Sequence, residues 1–436
     1  MKNFILTLSV FAALPVWGQI QLDNQFEDWS AIPHSTNTDG GPFVAAAVTS
    51  NADWLYLHIE VDQEVALDEN ALPNDYRILL DLDDDPSTGV DYASQGLGVD
   101  LLINLATRQA IRYTNGSGIE SFNEIGMRAA PTYSGNEFEL AFDRELTQVA
   151  GDGMRVKWYD NAGQVGFPEA GLQHTLLDPP DSFVPVSIAR PPGTLNRVAF
   201  WNVNNRMDEL FAQQAMKRIL QAVDPDILAL SEVSNVSAAY VTGLLNDWLP
   251  LEGDATWNVV KDDWDLMVAS KGAILSSFPS VMRQFPALVE GHPGWGVPLL
   301  ITSSHLKCCG GSSNEAQRQA EADEYMAFLR DAMNGEGDLA LAPNSPVVYG
   351  GDLNMVGLDD PIYTLVSGDI SDETTYGPDF NPDWDGTALT EQPLLQTDHG
   401  FDFTWMSSNI NSEWMPGKLD YLITSDASVE LMAGFV

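Results

Sequence analysis

The first half of the chain alternates apolar and polar residues in short runs. Such runs lie at residues 54–61, 76–82, 99–104 and 136–142, and clusters rich in Asn, Asp, Pro and Gly separate them, as at 85–89 and 115–118. A period of two is typical of strands with one buried face, and closely spaced turns favour two packed sheets. We therefore predict an all-β sandwich over residues 19–180.

From residue 196 the pattern changes to strands that alternate with helices. Apolar runs at 197–201 and 227–230 predict strands, and residues 207–223 keep the helical spacing of apolar positions up to Asp224-Pro225. Ser312 and Glu315 have the spacing of a capping box, which predicts a helix from Ser312 toward Met333, followed by a strand at 346–349. The second domain, residues 195–436, is predicted to be α/β.

Prolines concentrate between these two patterns, at residues 181–194. Proline cannot continue a helix or a central strand, so this segment is predicted to be a semi-rigid linker between two domains. Two domains also agree with the length of 436 residues.

The first residues contain a lysine at position 2, then an apolar stretch and a small residue at Gly18. This order is typical of a secretory signal peptide over residues 1–18, and the stretch is shorter than the ~20 residues of a spanning helix. We expect an extracellular or periplasmic protein without stable membrane insertion.

The formal net charge is −43, from 63 acidic and 20 basic side chains. Such a surface disfavours tight, sequence-independent binding to DNA, because Lys and Arg normally supply the phosphate contacts. A transient catalytic encounter with a nucleic acid stays open if a divalent cation bridges the charges. The two cysteines, Cys308 and Cys309, are adjacent, so they are either free or joined in a vicinal ring; a zinc site with His305 has little support from this spacing.

Five short polar motifs follow apolar runs in the second half, at residues 200–204, 227–232, 303–307, 348–354 and 418–421. Because several strand ends can meet at one edge of a sheet, we expect their side chains to converge on one phosphate and one metal ion. Mg²⁺ prefers one or two carboxylates and keeps several waters, which makes Glu232 the candidate metal ligand. Asn202 is expected to orient that carboxylate or to complete the outer shell of the metal.

The order of these motifs, from about Asn196 to the end of the chain, resembles the endonuclease/exonuclease/phosphatase superfamily, whose fold is that of deoxyribonuclease I. The resemblance implies a four-layer α/β sandwich and hydrolysis of phosphoesters with Mg²⁺ or Mn²⁺. It implies that His305 donates a hydrogen bond to a phosphoryl oxygen, that Asp352 is the general base, and that Asn354 orients the phosphate or the water.

Asp420 matches the carboxylate that, in this superfamily, orients the histidine of a final Ser-Asp-His motif. No such motif follows Asp420 in this sequence. Two interpretations compete: Asp398 and His399 replace the missing pair, or the sequence is a fragment that lacks its last strand. The second is favoured, since the α/β domain otherwise stops at an unfinished sheet edge; such a fragment is expected to be a poor enzyme.

The first half carries short motifs at 26–29, 51–56 and 80–89 that resemble family 9 carbohydrate-binding and DOMON-like modules. The resemblance implies a binding module, with a polysaccharide as one candidate ligand. Asp81, Asp83 and Asp85 alternate as calcium ligands do, although they serve equally well as a solvated turn. Trp29 and Trp54 are either core residues or sugar platforms.

The sequence thus predicts a secreted, divalent-metal-dependent phosphoester hydrolase with an accessory binding module. DNA or RNA, phosphorylated small molecules and phospholipid head groups remain open as substrates. The alternative is a non-catalytic surface or glycan-binding protein with a degenerate or incomplete hydrolase domain.

Overall fold

The alternating runs of the first half form antiparallel sheets in the computed structural model of the protein, which describes residues 20–67, 75–114, 116–149, 151–180, 183–279 and 281–436. The predicted signal peptide lies outside these residues. The first eleven strands are β1 (Ser35–Thr36), β2 (Phe43–Ser50), β3 (Trp54–Val65), β4 (Tyr76–Asp81), β5 (Leu101–Asn104), β6 (Gln109–Arg112), β7 (Gly118–Glu120), β8 (Met127–Ala130), β9 (Gly135–Asp143), β10 (Gly153–Asp160) and β11 (Val165–Thr175).

These strands make a five-stranded sheet of order β1-β2-β3-β9-β8 and a six-stranded sheet of order β11-β10-β4-β5-β6-β7. One apolar cluster contains side chains from both sheets, including Phe43 and Phe138 from the first and Ile78 and Trp158 from the second. The two sheets therefore pack face to face, as alternation of buried and exposed positions requires. A short helix, α1 (Arg144–Thr147), follows β9.

The second half alternates strands and helices. Its strands are β12 (Val198–Asn202), β13 (Ile227–Ser231), β14 (Asn258–Lys261), β15 (Met267–Ser270), β16 (Ile274–Ser277), β17 (Gln284–Val289), β18 (Leu299–His305), β19 (Val347–Asp352), β20 (Thr390–Glu391) and β21 (Asp420–Thr424). Its helices are α2 (Leu210–Val223), α3 (Ala238–Trp248), α4 (Ser312–Asn334), α5 (Asp360–Ser367) and α6 (Glu373–Tyr376). Short 3₁₀ turns lie at Glu27–Ala31 and Tyr92–Ser94.

Two more sheets result, of order β12-β13-β15-β14 and β16-β17-β18-β19-β21-β20. Helices α2 and α3 share an apolar cluster with the first of these sheets, and α4 and α5 share one with the second. A third cluster joins the two sheets to each other through side chains such as Val268 and Ile301. The functional side chains described below stand at one edge of this pair of sheets.

The capping-box prediction at Ser312 is wrong. Gly311, with φ 99°, is the N-cap of α4, no side chain caps the helix, and Ser312 is already helical. The rest of the predicted helix and the strand that follows it are present. In the predicted linker, residues 183–194 contain neither helix nor strand. None of the helices in the described part of the chain has the length and apolar character needed to cross a bilayer.

The two halves exchange side chains across their contact. Phe401, from the segment between β20 and β21, is 3% exposed and packs among core residues of the first half, with its ring 4.8 Å from that of Trp54. Met415 from the same segment joins the main core of the first half, while Tyr133 of the first half packs against a core of the second. The halves therefore share apolar burial, which couples their stabilities.

Replacing Phe401 with Ala should destabilise the first half of the protein, although Phe401 belongs to the second. Loss of a buried aromatic side chain costs about 3–5 kcal/mol of unfolding free energy. The melting temperature, followed by tryptophan fluorescence, should fall. Phe211→Ala is the control, because that ring is 83% exposed on α2; equal melting temperatures for the two variants would contradict the shared core.

Candidate active site

Strand ends bring the predicted site residues together at one edge of the sheets. In the register of β18, β19 and β21, His305 is paired with Asp352, and Asp352 with Asp420. In the other sheet, Asn202 ends β12 and Glu232 directly follows β13. Five of the six predicted residues therefore meet at this edge, and the sixth, Asn354, lies two residues past Asp352.

Asn202 joins the two sheets through its amide. Its Nδ2 donates to Glu232 Oε1 and to Asp352 Oδ2, both at 2.9 Å, and its Oδ1 accepts from the backbone N–H of Asn204, also at 2.9 Å. Asn205 Nδ2 donates to the other oxygen of Glu232 at 3.2 Å. Asn202 thus holds two carboxylates in place with neutral donors, and both oxygens of Glu232 are oriented.

His305 is held by a carboxylate that the sequence analysis missed. Its Nδ1 lies 2.8 Å from Asp265 Oδ2, so Nδ1 carries the proton and Nε2 is directed elsewhere, 4.0 Å from Asp352 Oδ2. Burial lowers the pKa of His305, but the hydrogen bond to Asp265 and the nearby Asp352 outweigh burial and raise that pKa above its ordinary value. A protonated His305 can donate a hydrogen bond from Nε2.

Asp352 is held by hydrogen bonds on both oxygens. Besides the bond from Asn202, its Oδ1 accepts from the backbone N–H of Asn354 at 3.0 Å. Burial, with a contribution from Glu232, raises the pKa of Asp352 in spite of these bonds and of the nearby His305. A carboxylate with a raised pKa is better matched to accepting a proton near neutral pH.

The chain before and after Asp352 has backbone conformations that are unusual. Gly351 has φ 127°, and a Cβ there would lie 2.3 Å from the carbonyl oxygen of Ser304. Asn354 has φ 50° and donates from Nδ2 to the carbonyl of Leu306 at 3.2 Å. Glu232 also has a left-handed φ, of 54°. Such conformations are found at sites where side-chain direction matters.

Asp420, for which the sequence showed no partner, is hydrogen-bonded to Thr404. Burial and the neighbouring Asp352 raise the pKa of Asp420 to about 6, while a hydrogen bond from the Thr404 hydroxyl opposes that rise. The backbone N–H groups of Asp420 and Leu419 both donate to Thr404 Oγ1 at 3.0 Å. Thr404 therefore fixes the start of β21.

Three residues in these contacts were absent from the sequence prediction: Asp265, Asn205 and Thr404. Asp265 stands two residues before the buried strand β15, which was the available signal. Since β15 runs antiparallel to β13, its beginning lies at the same edge as the end of β13. Asn205 and Thr404 lie in loops with no pattern that marks them.

Asp398 and His399, the candidate replacement for the missing motif, make no hydrogen bond to the described residues of this network. His399 is 3.9 Å from Asp398 and its ring stacks on Phe401. Cys308 and Cys309 are both free thiols, with Sγ atoms 2.7 Å apart.

In the first half, carboxylate oxygens of Asp81, Asp83 and Asp100 lie within 4.8 Å of one another. Asp85, predicted as the third member, instead accepts hydrogen bonds from Ser87. Among the described residues, this is the only group of three or more His, Cys, Asp or Glu side chains placed closely enough to hold a metal ion. Its third member is Asp100, whereas the sequence spacing predicted Asp85.

Trp29 is buried within the protein, and Trp54 is partly buried beside it. Trp29 is 1% exposed and donates from Nε1 to Glu139 at 3.1 Å, and Trp54 is covered by Phe401. Trp29 is therefore a core residue, whereas Trp54 is half-buried and packs against the same apolar cluster.

The comparisons with known proteins agree with the order of the motifs. The Endonuclease/Exonuclease/phosphatase family matches residues 199–432, more than half of the chain, and the protein belongs to this family. Its members hydrolyse phosphoester bonds. No curated protein matches the sequence.

Solved structures with a similar second half include TDP2 from Caenorhabditis elegans, with 18% identity, 55% of this chain and 67% of that chain covered, and a TM-score of 0.37. The beta toxin of Staphylococcus aureus with bound magnesium ions has 15% identity, coverages of 55% and 86%, and a TM-score of 0.36. An AP endonuclease from Archaeoglobus fulgidus has 10% identity, coverages of 53% and 87%, and a TM-score of 0.34.

Replacing Asp265 with Asn should lower the pKa of His305, because the negative partner that favours the charged imidazole is lost. NMR titration of the His305 ring in both proteins measures this directly. As the pH rises, the His305 imidazole should lose its proton at a lower pH in the variant than in the wild type. Asp263→Asn, an exposed neighbour of the same type, is the control; an unchanged His305 titration in Asp265→Asn would contradict the pairing.

Proposed function

We propose that the protein is a secreted, divalent-metal-dependent phosphoester hydrolase whose second half is a four-layer sandwich with the active site at the described sheet edge. One observation carries this proposal. Asp265, His305, Asp352, Asn202 and Glu232 form one connected row in which an imidazole and three carboxylates are held at fixed positions by hydrogen bonds and close contacts.

The charge of this row is the reason to expect a metal ion. Four carboxylates face one imidazole here, from Glu232, Asp265, Asp352 and Asp420, so a phosphoester would be repelled without a cation. Glu232 fits the role of ligand, because each of its oxygens accepts one amide hydrogen bond and keeps a further lone pair. A divalent cation there would neutralise charge that develops on the phosphoryl oxygens.

Asn202 supports Glu232 and is not itself needed as a direct ligand. Its two N–H groups and its carbonyl oxygen all have protein partners. We assign it the orienting role of an outer-shell residue.

The remaining residues have roles that follow from their hydrogen bonds. His305, with Nδ1 on Asp265, donates from Nε2 to a non-bridging phosphoryl oxygen and stabilises charge in the transition state. Asp352 accepts a proton from the attacking water, and Asn354 orients the water or the phosphate. Asp420 keeps negative charge beside Asp352 and so favours proton acceptance there.

Replacing Glu232 with Gln should abolish hydrolysis that depends on Mg²⁺ or Mn²⁺, with a loss on the order of 100-fold or more in kcat/KM, because the side chain keeps its shape but loses the charge that holds the cation. The assay covers DNA, RNA, sphingomyelin, inositol phosphates and bis(4-nitrophenyl) phosphate, with and without Mg²⁺.

Glu252→Gln is the matched control, since Glu252 is exposed in a loop after α3. The proposal fails if the wild type hydrolyses none of these substrates, or if Glu232→Gln is as active as Glu252→Gln. The panel also decides among nucleic acids, phosphorylated small molecules and phospholipid head groups.

For the first half we propose a structural calcium site at Asp81, Asp83 and Asp100. Burial is the main cause that raises the pKa of Asp81 to about 6, with Asp100 and Asp83 adding to it, so these carboxylates repel one another without a cation. Polysaccharide binding gains no support from these tryptophans, since Trp29 is buried and the ring of Trp54 packs edge-to-face with that of Phe401.

Calcium should therefore raise the melting temperature of the wild type, and Asp83→Asn should remove most of that rise. A ligand at 100 times its Kd stabilises the folded state by about 2.7 kcal/mol. Asp85→Asn should keep the calcium response, because the Asp85 carboxylate is bonded to Ser87. Equal responses in the two variants would argue against this site.

A further inference from the structure

The first half of the protein contacts two of the segments that position the candidate active site, the one that follows Asp352 and Asn354 and the one that precedes Asp420. The connection between β8 and β9, residues 132–134, makes these contacts. We define these three residues as the 132–134 connection. One of its neighbours is the segment after Asn354, and the other is the segment before Asp420.

Ser134 holds the first segment. Its backbone N–H donates to the carbonyl of Gly357 at 2.6 Å, and its Oγ accepts from the backbone N–H of Asp359 at 3.3 Å. Tyr133 and Gly357 also form an isolated β-bridge. Gly357 is only three residues past Asn354, whose left-handed backbone conformation must be maintained by its surroundings.

Thr132 holds the second segment. Its hydroxyl donates to the carbonyl of Lys418 at 3.2 Å, and its methyl group would lie 3.1 Å from a Cβ built on Gly417. Lys418 is two residues before Asp420. Its Nζ is 2.7 Å from Glu391 Oε1 and 3.3 Å from Asp402 Oδ2, which ties the same segment to the contact between the halves.

The second segment is also built onto the first half at its far end. The backbone of Leu22 exchanges hydrogen bonds with Gly400 and Asp402, at 2.8 and 3.0 Å. Phe401 is buried there, and Thr404, which fixes the start of β21, follows it three residues later. The chain from Phe401 to Asp420 is thus supported by the first half at both ends.

We propose that the 132–134 connection is a positioning element of the active site: by holding Gly357 and Lys418 it sets the separation of Asp352, Asn354 and Asp420. This inference rests on the proposed hydrolase function. It gives the first half a part in catalysis that is different from binding a polymer or a surface. Thr132 and Ser134 act through the backbone of the two segments and do not touch substrate.

The test uses the full chain and two double variants. Thr132→Val with Ser134→Ala removes both hydroxyl groups with little change in size, and Thr132→Ser with Ser134→Thr retains them. A small displacement of catalytic groups strongly affects the rate of the reaction. We therefore expect the Thr132→Val, Ser134→Ala protein to have a kcat about tenfold lower than the wild type, with KM within about twofold of the wild-type value. The second pair should restore kcat to within about twofold of wild type.

The control is Ser30→Ala with Thr38→Val, the same chemical changes at exposed positions of the same half. It should leave kcat unchanged. The assay uses bis(4-nitrophenyl) phosphate and the best substrate of the panel, each with saturating Mg²⁺. A wild-type kcat in the Thr132→Val, Ser134→Ala protein would overturn the inference.

Hydrogen exchange gives a second readout that does not require activity. In the Thr132→Val, Ser134→Ala protein, amides of residues 353–359 and 417–421 should exchange faster than in the wild type, with the core strands β18 and β19 unchanged. If the wild type hydrolyses nothing, the proposed function fails, and the inference is judged by exchange alone. Unchanged exchange in both segments would overturn it.

Discussion

The edge proposed as the active site depends on one amide, that of Asn202, which bridges two carboxylates. Glu232 and Asp352 come from different sheets, but both accept a hydrogen bond from the same amide nitrogen. Two negative charges held so close together repel strongly when they are partly desolvated. Asn202 donates one N–H to each of them at 2.9 Å and brings no charge of its own. Removing this amide would leave both carboxylates without a shared donor, and the two sheets would lose a polar contact at the place where chemistry is proposed.

The same constraint explains why the site needs support from outside the second half. Asp420 lies beside Asp352 in the register, and burial, together with the charge of Asp352, raises the pKa of Asp420 to about 6, so the sheet alone does not favour two ionised carboxylates there. Contacts that are far from the charges must offset this repulsion. The shared burial of Phe401 and the hydrogen bonds of the 132–134 connection are contacts of this kind, and they come from the first half.

Much of the fold was predictable because strand and helix patterns are local. The runs at 54–61 and 227–230 became β3 and β13, since period-two alternation and apolar runs depend only on which face is buried. The capping box failed because Gly311 enters α4 with φ 99°, a conformation that places Ser312 inside the helix. Asp265 was missed because its partner comes from a distant strand. The contacts of Ser134 were missed because each joins it to a backbone group, the carbonyl of Gly357 or the N–H of Asp359, and such groups leave no mark in the sequence.

The acidic residues at the two proposed cation sites affect different properties of the protein. The whole chain carries −43 charges, so approach of an anionic substrate is opposed at long range, and the opposition is reduced locally only where cations are bound. A calcium ion at Asp81, Asp83 and Asp100 would neutralise acids of the first half, whereas the cation at Glu232 would act on the substrate itself. The two proposed sites therefore have separate effects: the first changes the stability of the half that supports the catalytic segments, and the second changes turnover.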